Sequence, residues 1–109
     1  HLDHAKKFVG RPDDDDAVAA AASAALRAVA AADMAVELNT GGLRKKAAEA
    51  FPGPALLAEA GALGIPLVLG SDAHRPGDVG HAFASAVESA REAGYAAVLR
   101  LSTGVQEAV

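Results

Sequence analysis

Segments of helical pattern alternate along this chain with short apolar runs, and that alternation constrains the fold more tightly than any total. The Ala-rich segment Ala17 to Ala32 carries Val18, Ala22, Leu26 and Val29 at helical spacing. Ala35-Val-Glu-Leu-Asn39 then alternates apolar and polar residues as a strand does, and Thr40, Gly41 and Gly42 end it, with glycines that permit a tight turn. Leu43 to Gly53 reads as a loop, Pro54 as a first helical residue, and Ala55 to Leu63 as a helix stopped by Gly64. Leu67 to Gly70 is a second strand. Val79, Phe83, Val87 and Ala90 mark the core face of a third helix ended by Gly94, and Ala96 to Leu101 gives a third strand. Helix and strand in strict alternation imply right-handed crossovers and a parallel sheet. Three helices and three strands make an incomplete α/β layer, most simply the last part of a barrel or of a doubly wound sheet.

Composition narrows the function classes. With 109 residues, just over half of them apolar, the chain has room for one small packed unit. A formal charge of -4 argues against nucleic acid as a partner, since phosphate contacts need clustered Lys and Arg. Part of that charge is the run Asp13 to Asp16, which reads as a cluster opposing the helix dipole at the start of the first helix. The absence of Cys removes both disulfides and thiolate metal sites. No apolar stretch is long enough for a membrane span and no signal peptide opens the chain, so a cytoplasmic location is expected. The chain opens on His1 rather than Met, inside what looks like a functional motif. The expectation is that residues 1–109 are the C-terminal portion of a single domain, with the rest preceding His1.

The chemistry concentrates where strands end. Leu67, Val68 and Leu69 read as a strand buried on both sides, and the run breaks into Ser71, Asp72, His74, Arg75 and Pro76. Asp72 and His74, two residues apart, form a natural pair of metal ligands at the mouth of a parallel strand. Glu37 and Asn39 share one face of their strand, opposite Val36 and Leu38. A carboxylate on so apolar a strand needs a partner. Glu37 is therefore either a sheet-interior residue satisfied by a neighbouring strand or a substrate contact. His1-Leu-Asp-His4 adds two imidazoles and a carboxylate, giving with Asp72 and His74 a thiol-free set suited to Zn, Fe or Mn. His81, at the start of a helix, is read as no ligand.

Three segments carry a resemblance to a known family: His1-Leu-Asp with Lys6-Lys7-Phe8; Glu37-Leu-Asn-Thr40 with Gly42-Leu-Arg-Lys45; and Gly70-Ser-Asp-Ala-His-Arg-Pro76 with Asp78-Val-Gly80. Their order and separation resemble the C-terminal part of the polymerase-and-histidinol-phosphatase (PHP) superfamily, and within it the bacterial histidinol-phosphatase branch. The Ser-Asp-Ala-His segment marks the superfamily; the Asn-Thr-x-Gly-Leu-Arg-Lys segment is more specific to that branch. The resemblance implies the C-terminal part of a distorted (β/α)7, TIM-like barrel with a site for two or three divalent ions at its mouth. It assigns metal ligation to His1, Asp72 and His74, and the substrate phosphate to Arg44 with Lys6 or Lys7. It also implies further ligands, including a His-x-His pair, that lie outside these 109 residues.

The function expected of the intact protein is metal-assisted hydrolysis of a phosphate monoester, L-histidinol phosphate, in histidine biosynthesis. The planar fork of Arg44 suits two phosphate oxygens in a way that Lys does not. Two readings compete. One is a phosphodiesterase of the same superfamily, like the nuclease module attached to bacterial DNA polymerases, which the acidic charge and the Gly42-Leu-Arg-Lys45 segment disfavour. The other is that the 109 residues alone form a non-catalytic piece with an unpaired apolar edge.

Overall fold

The computed structural model describes residues 2–3 and 15–109. Its first helix, α1 (Asp15–Ala31), starts within the aspartate run, as the dipole argument expects. Only Ala22 and Leu26 of the predicted stripe are buried, with Val29 packed at the margin; Val18 is 48 % exposed.

Strand β1 (Val36–Asn39) pairs in parallel with β2 (Leu67–Gly70), Val36 opposite Leu67 and Asn39 opposite Gly70. Between them the chain makes a 3-10 turn over Thr40–Arg44 and then helix α2 (Pro54–Ala62). Pro54 sits in the first turn of α2, and Gly64 ends it in the left-handed region at φ +69. The turn after β1 differs from the tight glycine turn expected. Asn39 caps it by accepting the Gly41 N–H at 2.8 Å, and neither Gly41 nor Gly42 adopts positive φ. Those two glycines are needed for space. A Cβ on Gly41 would lie 2.8 Å from the Asp72 Cβ, and one on Gly42 would strike the Glu49 carbonyl and the Phe51 ring. The segment read as a loop also carries a one-residue bridge, in which Phe51 exchanges both backbone hydrogen bonds with Asn39.

Helix α3 (Phe83–Glu92) begins later than its periodicity suggests. Gly80 and Ala82 both adopt left-handed backbone, at φ +71 and +56, and these breaks leave Val79 outside the helix and 73 % exposed. Its buried face is Ala86 and Ala90. The largest departure is at the end of the chain. Strand β3 (Ala97–Arg100) lies against β2 but hydrogen-bonds in antiparallel register with β4 (Val105–Ala108), a strand the sequence reading omits. The described residues thus hold two two-stranded sheets, one parallel and one antiparallel, in place of a three-stranded parallel sheet. The reversal comes from the turn after Arg100, whose carbonyl accepts from Thr103 and Gly104, with Gly104 left-handed at φ +67.

The core joins all three helices to one face of the parallel pair: Leu26 from α1, Leu57 and Ala60 from α2, Ala86 and Ala90 from α3, against Val36, Leu38 and Leu67. Alternation along the strands puts Glu37, Asn39, Val68 and Gly70 on the opposite face. The architecture is therefore α/β, with helices covering one side of a small parallel sheet. Among the described residues no helix is long and apolar enough to cross a membrane.

Candidate active site

The parallel register brings the C-terminal ends of β1 and β2 side by side, so the turn after β1 lies under the segment that follows β2. Arg44, at the end of that turn, uses one end of its guanidinium as a backbone clamp. Its Nη2 donates to the Ser71 carbonyl at 2.8 Å and to the Asp72 carbonyl at 3.1 Å. Both Nη2 protons are thereby committed, so the two-oxygen fork expected from sequence is half spent on this chain. The other end differs: Nη1 is buried and, among the described residues, has no hydrogen-bond acceptor. A buried cationic N–H without an acceptor is costly and calls for an anion.

Asp72 takes left-handed backbone at φ +49, a conformation that persists only where the surroundings hold it. Arg44 holds its carbonyl, and Gly41 leaves room for its Cβ. Its carboxylate is about one-third exposed, with Oδ1 3.9 Å from the His74 Nδ1. His74 projects into solvent, and its Nδ1 lies 2.8 Å from the Asp72 carbonyl oxygen. A carbonyl only accepts, so Nδ1 is the donor in this contact and Nε2 is the ring nitrogen turned away from it. Histidines that ligate metals are oriented by such a contact. The structure therefore places Asp72 and His74 side by side after β2, with the Asp72 carboxylate on the Nδ1 side of the imidazole. Among the described residues no group of three or more His, Asp or Glu side chains converges on a metal position. His1 and Lys6, expected as a ligand and a phosphate contact, lie outside the described residues, as do His4 and Lys7.

Glu37 is accommodated by the neighbouring strand. Its carboxylate occupies the space above Gly70 that a Cβ there would fill, and Asn39 Nδ2 donates to its Oε2 at 3.4 Å. Gly70 is thus required by Glu37. His81 is exposed, and it is its backbone carbonyl that is engaged, accepting from the Thr40 hydroxyl at 2.7 Å. Thr40 and Ser71, whose Oγ accepts from the Gly80 N–H at 3.3 Å, were not among the residues singled out from sequence. The available signal was a hydroxyl residue placed at each of two adjacent strand ends.

The chain is similar to histidinol-phosphatases. It is 50 % identical over 94 residues to a probable histidinol-phosphatase of Deinococcus radiodurans, an alignment covering 86 % of this chain and 35 % of that protein. It is 44 % identical over 64 residues to a histidinol-phosphatase of Bacillus subtilis, covering 58 % of this chain and 24 % of that one. The chain thus spans about a third or less of the length of the curated relatives it matches. No family model matches it.

Proposed function

We propose that the full-length protein containing these residues hydrolyses a phosphate monoester, L-histidinol phosphate, to L-histidinol and phosphate. Residues 1–109 form the C-terminal part of its catalytic domain, a distorted (β/α)7 barrel of the PHP type. The observation that carries the reading is the buried, acceptorless Nη1 of Arg44, held at the strand ends beside the Asp72/His74 corner. The similarity to proteins named histidinol-phosphatase supports the choice of substrate. Helices on one face of the parallel pair and a carboxylate and carboxamide on the other accord with a barrel wall.

In this reading Asp72 through its carboxylate and His74 through Nε2, together with His1, hold two or three divalent ions of the Zn, Fe or Mn class. When bound, such ions supply Lewis acidity that activates water and offsets charge on the phosphoryl group. The side chains of this chain do the rest. Arg44 Nη1 receives a phosphate oxygen while Nη2 keeps the Ser71–Asp72 backbone fixed, so one residue both binds substrate and shapes the site. Because Nη1 is already desolvated, its charge acts on the phosphoryl oxygens at low local dielectric, with little reorganisation. Lys6 adds positive charge for the phosphate. Glu37 is the carboxylate suited to the amine of the substrate, kept in place by Asn39 and Gly70.

Phosphate release by the full-length protein from histidinol phosphate and nucleotide release from a 3'-tailed DNA distinguish the monoesterase from a nuclease of the same superfamily. Turnover of the monoester alone is expected. Arg44→Ala should lower kcat/KM by roughly 100-fold, the loss typical of one preorganised donor. Unchanged kinetics in that variant exclude a phosphate role for Arg44.

A further inference from the structure

The twelve residues between the end of β2 and the start of α3 carry Asp72 and His74, and this segment is tied down at both ends by the turn that follows β1. Two of its non-glycine residues, Asp72 and Ala82, adopt left-handed backbone. Each coincides with or adjoins a tie from that turn: Arg44 bonds the Asp72 carbonyl, and Thr40 bonds the carbonyl of His81, next to Ala82. Conformations of this kind need external support. We propose that Thr40 is a positioning residue. Its hydroxyl fixes the return of the loop at His81 and thereby the orientation in which Asp72 and His74 are presented.

Thr40 is fully buried, at 0 % exposure. Its hydroxyl has one proton to give. Two carbonyls face it, His81 at 2.7 Å and Gly70 at 3.4 Å, and the distances assign the proton to His81. The bond spans 41 residues, which makes it a loop-closing contact rather than a local turn. Thr40 also lines a groove together with Leu38, Leu57 and Ala86. Packing alone would accept Val at this position. The hydroxyl is accounted for by His81, whose carbonyl would otherwise lose its donor. A second tie, Ser71 Oγ to the Gly80 N–H at 3.3 Å, closes the same loop from a less buried side.

This inference rests on the reading of Asp72 and His74 as cation ligands, and the experiment separates the two. In the full-length protein, amide hydrogen exchange of the 71–83 segment and calorimetric titration with Mn2+ are compared for wild type, Thr40→Val and Thr40→Ser. Loss of one buried hydrogen bond predicts exchange about tenfold faster around His81 and Mn2+ affinity about tenfold weaker in T40V. T40S, which keeps the hydroxyl and drops the methyl, should stay within about twofold of wild type in both. Ser71→Ala should give a smaller rise in exchange, centred on Gly80. Exchange in T40V equal to wild type, or T40S as impaired as T40V, overturns the positioning role, the second outcome by showing that the methyl matters instead. A larger rise in S71A than in T40V overturns it too. Faster exchange with unchanged Mn2+ affinity leaves the tie standing and overturns its positioning role, whereas Asp72→Asn with wild-type Mn2+ affinity overturns the ligand reading itself.

Discussion

The two ladders of this molecule have the same length, four residues per strand, and opposite circumstances. In the parallel pair, Val36, Leu38 and Leu67 are buried under three helices. In the antiparallel hairpin every residue of β4 is exposed, and Val105 is 54 % accessible. The parallel pair gains its stability from non-local burial, so its strand ends are fixed in space relative to the core. The hairpin is held by its own ladder and turn, by the packing of β3 on β2 with Val98 at the margin of the core, and by an exposed ion pair, Arg100–Glu107. Such pairs contribute little. The chemistry-bearing residues accompany this difference: Arg44, Asp72 and His74 all follow strands of the buried pair. A site that must hold a carboxylate, an imidazole and a guanidinium in register needs ends that do not fray.

The contrast is broken most sharply by truncation. In urea unfolding of the full-length protein, Leu67→Ala should cost about 3 kcal/mol, as expected for a fully buried Leu. Val105→Ala should stay within about 0.5 kcal/mol. Comparable costs at the two positions remove the distinction between the ladders. The glycines sharpen it. Gly42→Ala drives a methyl into the Glu49 carbonyl and the Phe51 ring, neither of which is the far end of a flexible chain, and should cost about 2–3 kcal/mol. Gly104→Ala in the hairpin turn meets no neighbour and suffers only from its left-handed backbone, about 1 kcal/mol.

A further small effect concerns Tyr95, at the seam where α3 hands over to β3 and packed beside Gly61 of α2. Its hydroxyl is buried without a hydrogen-bond partner among the described residues, and burial raises its pKa above the ordinary 10.0. The fold therefore favours the neutral phenol. That contribution is fully present below about pH 10 and is lost as pH rises through the raised value. Tyr95→Phe should leave stability at pH 7 equal or higher by up to about 1 kcal/mol, since no bond is lost. It should also flatten the alkaline fall in a pH series of thermal melts. A loss at pH 7 would reveal a partner for the hydroxyl.

The parallel pair and its helices were legible because their signals are local. Gly64 and Pro54 bound α2, and Leu67 to Gly70 has one reading as a buried run. Helical spacing includes Val79 because it continues through Gly80 and Ala82, whose left-handed backbone no periodicity reveals. The hairpin is not legible because Val105 to Ala108 is exposed throughout and has no apolar face to detect. At the strand ends, residue type marks Asp72 and His74 as candidates, and the resemblance adds Arg44. Their arrangement was not legible. That Arg44 spends Nη2 on two carbonyls, that Gly70 exists to admit Glu37, and that Thr40 reaches His81 are facts of contact between segments about 30 to 40 residues apart.

The most direct test of the central claim is phosphate release from histidinol phosphate by the full-length protein carrying Asp72→Asn, assayed with Mn2+ and checked for an unchanged circular-dichroism spectrum. Asn keeps the size of the side chain and its tolerance of left-handed backbone while removing the charge. The account predicts turnover lower by roughly a thousandfold in a folded protein. Turnover within a few-fold of wild type would contradict it, leaving the strand ends a structural corner without catalytic use.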